Sequence, residues 1–189
     1  TDNGAVYGGT READLTLSVS QKLQKILLKE SHYDVQMTRT TDKTLSLQER
    51  LNFEKQSWDL FISIHANATK DGKAKGLEFY FQNQLPPDED SKYLASVENQ
   101  ILEQTQQNNP QELNPNKKAE IMAIVEDLKR QNRMRESQKL SMSIAQQWTN
   151  DTLKSNLIKQ APFYVISQNS SPSVSVRASG EISKRDSRQ

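Results

Sequence analysis

The sequence predicts an α/β fold: a twisted, mostly parallel sheet flanked by helices, with a helical insertion in its second half. Three observations carry that expectation. Leu60–Ile64 is apolar but for Ser63 and rich in β-branched and aromatic residues. Five residues bounded by polar neighbours are too few for a helix, so they read as a strand buried on both faces. Upstream, Leu15, Val19, Leu23, Ile26 and Leu27 recur at helical spacing. Strand, helix and strand follow in an order that implies right-handed crossovers.

The 189 residues suit one domain with an inserted element. Twenty-five Lys and Arg nearly balance 24 Asp and Glu, so no global field draws the chain to nucleic acid. A hydrophobic content of 33% is low and points to a solvated polar segment, placed at residues 82–135. No apolar run approaches the roughly 20 residues of a membrane span. The absence of cysteine excludes disulfides and thiolate metal sites.

Taken in order, residues 1–11 hold three of the six glycines, Gly4, Gly8 and Gly9, and read as a loop. A helix is expected from about Arg11 to Lys29, capped by Thr10, with Glu12 and Asp14 in its first turn where carboxylates suit the helix dipole. Tyr33 to Arg39 alternates, with Val35 and Met37 on one face, as a half-buried strand does. Ser46-Leu47-Gln48-Glu49 is a capping box opening a short helix to about Gln56, with Leu47, Leu51 and Phe53 turned inward. The strand at 59–65, a loop at 69–76 and an alternating strand at 77–81 follow. Helices are expected at 91–106, 118–131 and 136–149, with an Asn/Gln/Pro-rich loop at 107–117. Phe163–Ile166 and Val174–Val176 read as the last two strands.

His65 closes the central strand, and side chains just past the carboxyl ends of strands line the ligand crevice of an open α/β sheet. By position alone the imidazole is either a ligand or a structural residue. The surrounding motifs are more specific. Ser63-Ile64-His65-Ala66-Asn67-Ala68 resembles the signature of the zinc-dependent N-acetylmuramoyl-L-alanine amidases of the amidase-3 type. Thr1-Asp2-Asn3-Gly4-Ala5, then Glu12, resembles the end of that family's opening motif and the start of its first helix. Thr38-Arg39 with Asp42, Leu47 and Arg50 is similar to its next motif, Gly76–Phe81 to its next strand, and Pro162–Val165 and Pro172–Val174 to its last two. The similarity is collinear over nearly the whole chain.

The resemblance implies a phosphorylase/hydrolase-like α/β domain over 1–189 and a peptidoglycan hydrolase. Such an enzyme cleaves the amide between N-acetylmuramic acid and L-alanine of the stem peptide with zinc-activated water. It carries two zinc ligands onto this chain, Glu12 and His65; a third, a histidine, falls just before Thr1, so an upstream segment is expected. His32 precedes the strand at 33–39, belongs to the opposite sheet edge and reads as a surface residue. The family's last-strand glutamate, the general base, aligns with Arg177, and an arginine stays protonated. Either Glu181 takes the catalytic role through a shift of register, or the chain is a catalytically impaired wall-binding or regulatory module on the amidase fold. Asn67 and Arg50 position substrate or brace the loop.

Leu94–Asn99 resembles part of the helical insertion of the periplasmic cell-division amidases. By that likeness residues 82–150 are a regulatory insertion, and Glu98 is an inhibitory fourth zinc ligand; the other reading of Glu98, and the better one of Glu126, is a solvated helix face. Activation then requires a protein that binds the insertion and shifts it from closed to open. Peptidoglycan is the implied partner, and a periplasmic or secreted, envelope-associated location the implied setting.

Overall fold

The computed structural model describes residues 4–7, 9–52, 58–67, 76–82, 92, 95–96, 117–147 and 157–179. The elements are β1 (Val6–Tyr7), β2 (Thr10–Arg11), α1 (Glu12–Leu27), α2 (Leu47–Asn52), β3 (Phe61–Asn67), β4 (Gly76–Phe81), α3 (Lys117–Gln147), β5 (Ile158–Gln160), α4 (Tyr164–Ser167) and β6 (Ser173–Ser179). Four strands form one sheet in the order β3-β6-β4-β5. β3 runs parallel to β6 and β5 parallel to β4, while β4 and β6 are antiparallel, so the sheet is mostly parallel as expected.

The central strand sits at the described edge of this sheet, which explains its burial. Phe61–His65 are half-buried and only Ala66 is buried, rather than the run being covered on both faces. Leu60, 40% exposed, lies outside the ladder. Deeper burial falls on the two middle strands, with Phe79, Tyr80, Phe81 and Val174 at 2% exposure or less. Tyr80 belongs to a cluster with Leu47, Ala95, Ala161, Phe163, Val165 and Ile166, against which Phe61 and Tyr164 pack. Each fully buried aliphatic or aromatic side chain of this kind stabilises the fold by about 1.5–3 kcal/mol.

Several sequence expectations change. The glycine-bearing loop contains a two-residue hairpin, β1–β2, so Thr10 pairs with Tyr7 instead of capping α1. Arg11 is the residue before α1, in extended conformation, and the Glu12 N–H donates to the Ala5 carbonyl at 2.8 Å. Residues 33–39 keep their alternation, with Val35 and Met37 half-buried, yet join no ladder. Side chains hold them to α1: Gln24 Nε2 donates to the Val35 carbonyl, and Arg39 to the Ala13 carbonyl and Thr16 Oγ1. The two helices expected at 118–131 and 136–149 are one, the 31-residue α3, because Asn132-Arg133-Met134-Arg135 contains neither glycine nor proline to break it. Phe163–Ile166, read as a strand from its aromatic and β-branched residues, begins the short helix α4. The Ile166 and Ser167 N–H groups both donate to the Phe163 carbonyl, and Ile158–Gln160 supplies the strand instead. Of the helix expected at 91–106, Lys92, Ala95 and Ser96 are described and are helical; of the loop expected at 107–117, Lys117 already belongs to α3 and the rest, with Phe53, Glu98 and Glu181, lies outside the described residues.

The capping box forms as read. Ser46 Oγ accepts from the Glu49 N–H at 3.2 Å, and Glu49 Oε2 accepts from the Ser46 N–H at 2.8 Å. It seats α2 so that Leu47 and Leu51 are buried. Ser46→Ala is expected to lower stability by about 1 kcal/mol in urea denaturation, with unchanged m-value.

Candidate metal centre

α1 begins at Glu12 and β3 ends at Asn67, and packing of the helix on the strand brings Glu12 to His65. Glu12 Oε1 stands 3.3 Å from His65 Nδ1. Both are mostly shielded, with side chains 19% and 14% exposed. The carboxylate is fixed by backbone donors on both oxygens: Oε1 accepts from the Ala66 N–H at 3.1 Å and Oε2 from the Ala5 N–H at 3.0 Å. The imidazole is held from its other side, with Nε2 3.0 Å from Ser63 Oγ. Gly4 is required here, since it has φ +62° and a Cβ on it would stand 2.5 Å from Glu12 Oε2.

Burial opposes a charged Glu12, but hydrogen bonds from His65, Ala5 and Ala66 and the attraction of His65 outweigh it and take its pKa from 4.5 down to about 2. A depressed carboxylate contributes stability that is present above the unfolded value of 4.5 and lost as pH falls toward 2. In metal-free protein, Glu12→Gln is therefore expected to cost about 3 kcal/mol at pH 7, a deficit that shrinks as pH drops from 4.5 toward 2. Urea unfolding of both proteins across that range checks it. A deficit independent of pH would show that the carboxylate's charge contributes nothing.

The donor pair fits a zinc ion. With bonds of about 2.0–2.1 Å, two donors of a tetrahedral zinc stand about 3.3 Å apart, the separation found between Oε1 and Nδ1. Among the described residues no third His, Cys, Asp or Glu joins them. His32 is exposed and packs at a tilt against Tyr33 beyond the far end of α1, a helix roughly 24 Å long that starts at Glu12.

Arg177 lies in β6 directly in register with His65 and, on its other side, with Glu78. It is 4% exposed, its guanidinium lies 4.0 Å from the Phe163 ring centroid and 5.7 Å from that of Tyr80, and Nη1 donates to Asn67 Oδ1 at 3.3 Å. Glu78 is taken up by Lys159 at 2.7 Å and the Tyr80 hydroxyl at 2.9 Å. Asn67 is thus braced, and Arg50, whose Nε donates to the Leu45 carbonyl, braces its loop. Two contributors escaped sequence reasoning: the backbone N–H groups of Ala5 and Ala66, and the aromatic seat of Arg177. Backbone donors leave no residue signature; the seat was masked because Phe163 was read as a strand residue.

The N-acetylmuramoyl-L-alanine amidase family model, Amidase_3, matches residues 1–188. Amidase AmiC of Escherichia coli is 37% identical over 101 residues, 52% of this chain and 24% of that protein. Amidase CwlM of Bacillus licheniformis is 41% identical over 83 residues, 42% of this chain and 31% of that protein. The chain thus spans a third or less of these relatives. The catalytic domain of CwlV from Paenibacillus polymyxa shares the fold, with a TM-score of 0.56 at 20% identity over 93% of this chain and 72% of that one. An α/β sheet that brings the first helix's glutamate to a histidine near the end of a strand, under a family match of this length, leads to one conclusion: the chain belongs to the N-acetylmuramoyl-L-alanine amidase family.

Proposed function

We propose that the chain is a peptidoglycan hydrolase that cleaves the amide between N-acetylmuramic acid and the L-alanine of the stem peptide, with zinc held by Glu12 and His65. The observation that carries this reading is the 3.3 Å pairing of Glu12 Oε1 with His65 Nδ1 at the end of β3. Held by Glu12 and His65, zinc would supply Lewis-acid chemistry to the scissile carbonyl and to water, whose pKa it would lower toward about 7. The chain's own residues do the rest. Ala5 and Ala66 aim the carboxylate, Ser63 fixes the imidazole, and Arg177 holds Asn67 at the rim.

In this reading residues 82–150 form a regulatory insertion, Glu98 blocks the open metal position, and an activator protein docks on the insertion. Support comes from α3, whose Met122, Ile124, Val125 and Leu128 are exposed. In this reading the protein works in the periplasm or outside the cell, at the envelope. No helix among the described residues is long and apolar enough to cross a membrane.

One observation favours a second reading, a wall-binding module without turnover. Arg177 stands beside His65, where a proton acceptor is wanted, and a guanidinium takes no proton from water. Incubation of zinc-loaded protein with purified peptidoglycan separates the two. Release of peptides with a new L-alanine amino terminus is expected of the hydrolase. Co-sedimentation with no release identifies the module, and the absence of both release and co-sedimentation would remove both readings.

A further inference from the structure

At the end of the sheet away from His65, a second polar cleft opens between α3 and the loop entering β6. Its walls include Arg130, Arg133, Asn169, Ser171 and Gln82, and its volume is about 20 Å³. The register places it some four residues along the strands from the Glu12–His65 pair, roughly 13 Å. It is therefore independent of the metal centre and of the function proposed for it.

We infer that this cleft binds one oxyanion group, the chemistry of a phosphate or a carboxylate. Asn169 supplies the first reason. It is 3% exposed, and its Oδ1 accepts from the Ser171 N–H at 2.9 Å, which fixes the amide. Nδ2 is left buried without a hydrogen-bond partner among the described residues. A buried amide donor without an acceptor costs about 1–3 kcal/mol, which a ligand oxygen would relieve. Charge supplies the second reason. Two arginines one helical turn apart line the cleft, and among the described residues no carboxylate does. Arg130 shares one of its donors with Asp127 at 2.6 Å, whereas Arg133 has no ion-pair partner among the described residues.

The hydroxyls leave little for a cation. Ser171 Oγ donates to the Trp58 carbonyl, and Ser137 Oγ donates to the Arg133 carbonyl while accepting from the Ser173 N–H. The cleft thus presents donors and positive charge, and its volume admits one or two oxygens of an anion whose remainder stays in solvent.

Calorimetric titration of the full chain at low ionic strength, with inorganic phosphate and separately with acetate, tests this. One-site saturable binding is expected for at least one anion, and which of them binds tighter tells a phosphate site from a carboxylate site. Arg133→Gln is expected to weaken that binding at least tenfold. Lys139→Gln, which removes a charge from the same helix outside the cleft, is expected to change it less than twofold. Circular dichroism confirms that both variants fold. No saturable binding of either anion would overturn the assignment, leaving the cleft to water, as would equal losses in the two variants.

Discussion

His65→Ala is expected to remove zinc from the purified chain. Elemental analysis should give near one zinc per chain for the parent and essentially none for the variant, with affinity at least 100-fold weaker, about 2.7 kcal/mol. The size follows from the geometry. In the proposed site two donors at 3.3 Å would chelate the ion, and losing the imidazole would leave a single carboxylate that backbone N–H groups already satisfy. Ser63→Ala, which removes only the group steadying Nε2, is expected to weaken zinc by about tenfold. Full zinc occupancy in His65→Ala would refute the metal assignment, and with it the basis for the hydrolytic reading.

Phe163→Ala should be the most damaging single truncation among the described core residues, costing about 4–5 kcal/mol in denaturant unfolding. Phe163 has no exposed surface, meets Tyr80 edge to face at 5.3 Å and carries the Arg177 guanidinium 4.0 Å above its ring. Truncation opens a cavity at the sheet's centre and strips a buried cation of its aromatic seat, a contact worth about 2 kcal/mol when desolvated. Phe163→Leu keeps most of the volume and loses the ring, so about 2 kcal/mol is expected. If both variants cost under 1 kcal/mol, Arg177 is not seated by this ring.

Arg177 links the two predictions. One guanidinium binds the core through Phe163 and the site's rim through Asn67, in register with His65. A sequence comparison presents it only as a missing carboxylate. In the fold it has a positive role, completing a charged row that continues to Glu78 and Lys159.

Short-range chemistry was readable in the sequence. The capping box at Ser46 and Glu49, a strand carrying His65 and the helix starting near Glu12 depend on spacing within a few residues, and each forms, though the strand runs from Phe61 to Asn67 and so passes His65 instead of ending there. The alternation at 33–39 was also real, but alternation records which side chains face a neighbour and not whether the backbone joins a ladder. There, α1 supplied side-chain partners in place of a strand. Phe163–Ile166 failed for a related reason: aromatic and β-branched residues mark burial, and a buried helical turn wants them as much as a strand does.

By itself, the sequence determined the fold class, the family and the two residues brought together at the end of β3. These follow from local patterns and collinear motifs that survive without coordinates. Only the tertiary structure decided that β3 is half-buried at the described edge, and that Glu12 meets His65 at the spacing of a metal's donors. It also decided that Arg177 is buried among aromatic rings. Apart from the Arg177–Phe163 contact, these depend on residues more than 50 apart in the chain, and chain separation leaves no trace in periodicity or spacing.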